Sequence, residues 1–206
     1  MSQAEVGKCT AAEATFPLPN NTKPARRRPY RANPRTEAVI NKCVHYMLDN
    51  DIIVERSSSW GSRATRVARK DCQPRFCVDY RSTINKHLIR KTWSMANLED
   101  DIDVVRGAQF ISAVDLQSAY WQIPVHPDHV ETTAFVNNNG TYCYNRMPFG
   151  VCNAPGGVTE MRHKTLGHLP ELLIYMHDLC VLFATWENHL RSLESMFVAL
   201  LQLVSL

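Results

Sequence analysis

Residues 107–123 read GAQFISAVDLQSAYWQI, and residues 172–184 read LLIYMHDLCVLFA. In the first, Phe110 to Leu116 is an apolar, β-branched run of strand length that closes on Asp115. The second holds two apolar runs parted only by His177 and Asp178, which predicts a tight hairpin. A carboxylate in such company is expensive, because a buried or half-buried charge needs a metal or a base beside it. Spacing alone leaves two readings of each acid open. Asp115 starts a turn or serves a site, and Asp178 is a hairpin turn residue or a second site acid.

Around these segments the pattern predicts a mixed chain. Val39, Ile40, Cys43, Val44, Met47 and Leu48 recur at three and four, with Thr36 as N-cap and Asn50 near the stop. Ile52 to Val54 is a short strand, and Phe76, Val78 and Tyr80 alternate with polar residues as a half-buried strand does. Asn97, the acids at 99–101, the face Leu98, Ile102 and Val105, and Gly107 signal a second helix. Thr132 to Val136 and Thr141 to Tyr144 flank Asn137-Asn138-Asn139-Gly140, a hairpin turn whose residues tolerate positive φ. Residues 158–168 form a further helix. A last one is expected to bury Leu190, Leu193, Phe197, Leu200, Leu201 and Val204. The order reads as α+β with a largely antiparallel sheet.

The chain has 206 residues, 23 Lys+Arg against 20 Asp+Glu, and 45% apolar residues, a globular composition long enough to bury a core without disulfides. The net charge of +3 conceals an asymmetry. Residues 56–91 carry ten basic residues against Asp71 and Asp79, whereas residues 98–131 carry seven acids against Arg106. One surface is thus suited to a polyanion and another to cations. The lead-in to Arg35 holds five prolines and no sustained apolar period, and reads as extended or disordered. Seven cysteines without a CxxC pair read as free thiols in a reducing compartment. The longest apolar stretch, Leu172 to Trp186, is broken by His177 and Asp178 and is too short for a bilayer span of about 20 residues. An intracellular protein, cytoplasmic or nuclear and not secreted, is expected. His126 and His129 lack further ligands at zinc-finger spacing and read as a polar loop.

Several separate blocks in order carry a resemblance. RPYR at 28–31, SSSW at 57–60, RFCVDYRSTINK at 75–86, GAQFISAVDLQSAYWQI at 107–123, TAFV at 133–136, NRMPFGVCNAP at 145–155, YMHD at 175–178 and TWENHL at 185–190 resemble the reverse transcriptase domain of Ty3/gypsy-type long-terminal-repeat retrotransposons. The resemblance implies an α+β right-hand polymerase architecture: a lead-in over 1–27, fingers over 28–92, and a palm over 93–206 with some fingers segments inserted. The chain is expected to stop before the primer grip and thumb, as a fragment of a polyprotein.

The resemblance also implies roles. Asp115 and Asp178 match metal-binding catalytic carboxylates, and Leu116 matches the residue whose backbone carbonyl helps hold the nucleotide's metal. Two Mg²⁺ are implied, hard ions that want oxygen ligands, with Mn²⁺ as the alternative. Tyr120 matches the aromatic gate against a ribose 2′-hydroxyl. Arg69 and Arg75 match basic positions facing the incoming triphosphate, and Phe149 of Pro148-Phe149-Gly150 belongs to the nucleotide pocket. The implied partners are an RNA or DNA template with its primer and deoxynucleoside triphosphates.

The chain departs from the pattern where it matters most. His177 replaces the first Asp of the YxDD turn, and imidazole is a poor Mg²⁺ ligand that supplies no negative charge. An impaired polymerase is the resulting expectation, with a non-catalytic nucleic-acid-binding remnant as the alternative. Arg63-Ala64-Thr65-Arg66 puts an arginine where a core residue is expected, Trp93 to Ala96 lacks the usual proline, and Gly156-Gly157 weakens a helix start.

Overall fold

The computed structural model describes residues 7–67, 75–90, 105–116, 118–169, 172–175 and 178–205. The predicted helix around Leu98 to Val105, the Trp93 to Ala96 link, Cys72, Arg69 and His177 lie wholly or mostly outside them.

The first helix, α1 (Pro34–Asp49), begins two residues before the expected cap. Asn33, not Thr36, is the N-cap, its side chain accepting the Thr36 amide at 2.8 Å, and Pro34 occupies the first turn, where its missing N–H costs nothing. Its buried face is Ile40, Val44 and Met47, spaced by four and three. At the other end Asn50 donates its side-chain amide to the Tyr46 carbonyl at 2.7 Å, and Asp51 turns the chain at φ 52°.

The chain then builds a five-stranded sheet from β2 (Ile53–Glu55), β3 (Ser62–Val67), β4 (Arg75–Asp79), β6 (Phe135–Val136) and β7 (Thr141–Tyr144), in the order β2-β7-β6-β3-β4. All neighbours are antiparallel except β3 and β6, which align Ser62 with Phe135 in parallel. The expected hairpin joins β6 to β7. Asn137 Oδ1 accepts the amides of Asn139 and Gly140, each at 2.9 Å, and so closes the turn. Thr132 and Thr133, expected in a strand, instead end a 3₁₀ segment (Pro127–Thr133) capped by His126. Phe135 is fully buried, with the rings of Phe76, Tyr142 and Tyr144 within 5.6 Å of its own.

The Arg63 anomaly resolves by alternation. Ser62 and Ala64 take the core side of β3, while Arg63 points away, donates to the Arg28 carbonyl and lies over the Tyr30 ring at 4.5 Å. The lead-in is extended yet packed. Phe16 is 1% exposed, Ala14 pairs with Val125, and Arg26 pairs with Gly61. A strand at its start, β1 (Lys8–Cys9), meets β10 (Val204–Ser205) at the other end of the chain.

A second, three-stranded antiparallel sheet has the order β5-β9-β8, from β5 (Phe110–Asp115), β8 (Leu172–Tyr175) and β9 (Asp178–Phe183). Helices back one face: Leu166 of α4 (Ala154–Leu166) and Met196 of α5 (Trp186–Leu203) close a core with Leu179 and Val181. Two short helices, α2 (Ile84–His87) and α3 (Ala119–Gln122), lie among the described residues. The face of α5 differs from expectation. His189, Leu193, Met196 and Leu200 turn inward, whereas Leu190 and Phe197 are half exposed and Leu201 is 74% exposed. Leu193 and Leu200 turn inward as expected, but Met196 and His189 take the inward places expected of Phe197 and Leu190, and His189 Nε2 shares a 2.8 Å hydrogen bond with Ser112 Oγ. The six described cysteines are free, and burial pushes the Cys143 thiol up to about 11. No described helix is long and apolar enough to cross a membrane.

Candidate functional site

The register of the second sheet brings the two singled-out acids together. Asp115, the last residue of β5, is the cross-strand partner of Asp178, the first residue of β9. Directly opposed residues of an antiparallel pair project from the same face, with Cα atoms about 4.5–5.5 Å apart. Strand alternation assigns that face. Ile111, Ala113 and Asp115 are exposed, while Ser112 and Val114 lean toward the helices. Asp178 is also exposed. The expected burial of these carboxylates is therefore not found: each stands at a strand end, where water solvates it, rather than inside the apolar run.

Beyond Asp115 the chain passes half-buried Leu116 and turns sharply, with Ser118 left-handed at φ 54° and ψ 34°. The Trp121 amide donates to the Ser118 carbonyl at 2.8 Å, starting α3 and placing Tyr120 on it. Phe149 arrives from the Pro148-Phe149-Gly150 turn. The rings of Tyr120 and Phe149 lie 4.8 Å apart, Trp121 is 5.6 Å from Phe149, and the Arg75 guanidinium is 5.8 Å from the Phe149 ring. Three of the residues singled out in the sequence, from β4, α3 and this turn, thus form one cluster. Arg69 and His177 lie outside the described residues.

Two residues of this region were missed by sequence reasoning. Asn85 of α2 fastens the Phe149 turn, donating to the Gly150 carbonyl at 2.8 Å and accepting the Cys152 amide at 3.0 Å. Gly150 needs its freedom there, with φ at 91° and the Val78 carbonyl 3.4 Å from where a Cβ would stand. The available signal is the asparagine of the 82–86 segment STINK, inside the block RFCVDYRSTINK. The second is Arg162 of α4. It is fully buried, and its Nε and both Nη atoms have no hydrogen-bond partner among the described residues. Burial pulls its pKa down, while Tyr120, Asp115 and Asp178 act in the opposite direction. Burial also raises the Tyr120 hydroxyl, which the Arg162 charge partly offsets.

The basic surface is divided in its uses. Arg26 is committed to the fold, donating to the Ser58 and Trp60 carbonyls and to Thr141 Oγ1. With Arg27 and Arg28 it lines an open cleft of about 530 Å³ against Asn137 to Thr141. Arg81 is held by Asp79, whose carboxyl it keeps at about 2.

As a donor set, two opposed, solvated carboxylates suit one hard divalent cation. Among the described residues no group of three His, Cys, Asp or Glu side chains is placed to hold a metal. The pair therefore offers two of the oxygen donors such an ion takes, and the described residues do not complete the set.

Comparison with known proteins follows from the same segments. The reverse transcriptase (RNA-dependent DNA polymerase) family matches residues 62–204. The retrovirus-related Pol polyprotein from transposon 297 of Drosophila melanogaster is 27% identical over 171 residues, covering 80% of the chain and 16% of that protein. That from transposon 412 of the same organism is 29% identical over 159 residues, 73% of the chain and 13% of that protein. The Pro-Pol polyprotein of simian foamy virus type 1 is 24% identical over 178 residues, 86% and 15%. The chain thus spans less than a fifth of the length of these relatives. Among solved structures, a prototype foamy virus protease-reverse transcriptase mutant superposes with a TM-score of 0.85 at 22% identity, over 97% of the chain and 26% of that protein. A foamy viral protease-reverse transcriptase in complex with an RNA/DNA hybrid gives 0.82 at 22%, over 97% and 27%.

Proposed function

Because the chain belongs to the reverse transcriptase (RNA-dependent DNA polymerase) family, as the reverse transcriptase domain of a retroelement Pol polyprotein, we propose that Asp115 and Asp178 are its nucleotidyl-transfer acids and that their catalysis is impaired. The observation carrying this reading is the register match of Asp115 with Asp178, beside the cluster of Arg75, Tyr120 and Phe149. In this reading residues 28–92 with the β6–β7 hairpin are fingers, residues 93–206 are largely palm, and the protein works inside the cell, in cytoplasm or nucleus.

Each residue has a definable task. The two carboxylates hold a divalent cation, Mg²⁺ or failing that Mn²⁺, assisted by the Leu116 carbonyl. Such an ion supplies charge neutralisation at the primer 3′-hydroxyl and the triphosphate. Tyr120 and Phe149 pack as a wall whose bulk excludes a ribose 2′-hydroxyl and so favours deoxynucleoside triphosphates. Arg75, and Arg69 before it, neutralise triphosphate oxygens through charge-assisted bonds. The template and primer, RNA or DNA, lie against the basic segment and are bound through their phosphates. Two structural relatives are complexes with an RNA/DNA hybrid and with double-stranded DNA, which supports nucleic acid as the partner. His177, in place of a third acid, removes a negative charge from the cluster.

The second reading, a nucleic-acid-binding remnant without catalysis, is favoured by that histidine. Primer extension separates the two, measured in Mg²⁺ and then Mn²⁺ on the chain and on His177→Asp. Impaired polymerase predicts feeble or no extension by the chain in Mg²⁺ and restored extension by His177→Asp. Full extension by the unaltered chain in Mg²⁺ refutes the impairment. Absence of extension by His177→Asp in either metal leaves only the remnant.

A further inference from the structure

The outer side of α5 is apolar where a solvated helix is polar. Trp186, Leu190, Phe197, Val198 and Leu201 are each between 47% and 74% exposed. Three of them, Leu190, Phe197 and Leu201, carry the spacing of core residues in the sequence. At about 100° per residue, Trp186, Leu190, Phe197 and Leu201 fall within about 60° of the helix circumference and form one stripe about 22 Å long. A single exposed apolar residue needs no explanation, whereas a contiguous patch marks a contact.

The spacing of the stripe tells what kind of contact it suits. With half-buried Leu193 it runs through 186, 190, 193, 197 and 201, close to the 3.5-residue repeat by which one helix lays a seam against another. It also reads the same in either direction. About the midpoint between Leu193 and Glu194, Trp186 mirrors Leu201 and Leu190 mirrors Phe197. A two-fold interface requires this, since residue i of one copy meets residue j of the other while j meets i. In an antiparallel pair of such helices each aromatic ring therefore faces a leucine of the second copy. The stripe with Val198 offers roughly 500 Å² of apolar surface per copy, taking each aromatic side chain at about 150–250 Å². Two copies together bury about 1,000 Å², the lower bound of a specific interface, which suits a reversible dimer rather than an obligate one.

The charged rim obeys the same symmetry. Glu194 and Arg191 lie about 80° and 140° round the helix from Trp186, on one side of the stripe. Both are exposed, and neither has an ion-pair partner among the described residues. An antiparallel two-fold brings that side of one helix against the same side of the other. It sets Arg191 within two residues, about 3 Å along the axis, of Glu194 of the second copy. Two arginines and two glutamates then close round the axis in complementary pairs.

We propose that the outer stripe of α5 is a self-association surface, on which a second copy of this chain packs its own α5 antiparallel about a two-fold axis beside Leu193 and Glu194. The contact removes from water the apolar residues that the fold of one copy leaves there, and the Arg191–Glu194 pairs fix its direction. It involves neither Asp115 nor Asp178, so it holds whether or not those acids catalyse.

Sedimentation velocity on the whole, nuclease-treated chain tests this, over about 1–100 µM, the range that brackets a weak interface. The parent should pass from monomer to dimer within that range, and Leu201→Glu should weaken the association at least about tenfold. Arg191→Glu and Glu194→Arg should each weaken it too, because each leaves four like charges round the axis. An equimolar mixture of those two variants, and the double variant Arg191→Glu/Glu194→Arg, should associate again. Should Leu201→Glu fail to fold by circular dichroism, the charge-reversal series decides alone, since both positions are solvated in the monomer. A parent that stays monomeric throughout overturns the proposal and leaves the stripe to a different partner or to another part of a longer chain. A dimer indifferent to Leu201→Glu and Arg191→Glu, or single charge reversals that the mixture does not rescue, overturns it as well.

Discussion

Truncating Phe149 tests whether the wall beside the two acids is held together as the ring geometry indicates. Phe149 is 39% exposed, so about six-tenths of its surface is covered. Full burial of a phenylalanine is worth about 1.5–3 kcal/mol, of which this share is about 1–2 kcal/mol. Its packing against Tyr120 at 4.8 Å and Trp121 at 5.6 Å adds about 0.5–1.5 kcal/mol per ring pair, toward the lower end for a partly solvated group. Phe149→Ala should therefore cost about 2–4 kcal/mol, which in a chain of this size lowers the unfolding midpoint by roughly 6–12 °C. Scanning calorimetry measures this directly. The decisive comparison is a cycle with Tyr120→Ala, because residues in contact couple while distant ones add. Tyr120→Ala should be cheaper by about 0.5–1.5 kcal/mol once Phe149 is gone. An equal cost of Tyr120→Ala in both backgrounds, or a midpoint shift below about 2 °C for Phe149→Ala, would refute the contact and with it the wall.

Three further outcomes are expected. Asn33→Ala should destabilise by about 1 kcal/mol in urea denaturation, because the Thr36 amide loses its acceptor, whereas Thr36→Ala, the cap expected from sequence, should cost much less. Asp79 is held at about 2, first by the Arg81 side chain and then by its amide and Tyr30, against an ordinary value of 3.8. A depressed carboxyl contributes stability above its unfolded value and loses it as pH falls through the folded one. The parent should therefore lose stability between pH 4 and about 2 relative to Asp79→Asn, by less than about 1 kcal/mol because Arg81 is solvated. Binding of a primer–template, followed by fluorescence anisotropy, should fall roughly a hundredfold between 50 and 200 mM salt if about four phosphates are neutralised. Salt-independent binding would contradict a phosphate interface on the basic segment.

What the sequence discloses and what it conceals divide along physical lines. The strands around Asp115 and Asp178 were legible because apolar runs of strand length, separated by two residues, leave a chain few options besides a hairpin. Their pairing register followed only from the structure, since nothing in either segment says that residue 115 stands opposite residue 178. The helix cap was misplaced because Asn33-Pro34 and Thr36 both satisfy the rules for a helix start, and only the 2.8 Å contact decides between them. The face of α5 was only partly legible for a related reason. Its apolar residues spread around the helix, and the stripe that turns inward joins the expected Leu193 and Leu200 to Met196 and to His189, for which Ser112 offers a partner.

Arg162 shows the deeper limit. In APGGVTEMRHKTL the inward positions of α4 do not stand out, because Met161 and Leu166 are separated by charged and polar residues with no clear period. An arginine in such a segment reads as solvated, as Lys164 is. Its burial depends on residues distant in sequence, with Leu116, Gln122 and Leu200 lining the same small cavity. Local sequence can therefore single out the acids of this site, since each stands at the end of an apolar strand, even though the fold leaves both solvated rather than buried. It cannot identify a buried arginine such as Arg162, since its burial is set by residues on other elements. Arg162 is thus the position where local pattern and observed burial part most plainly: a guanidinium two residues from the solvated Lys164 is wholly enclosed by the fold.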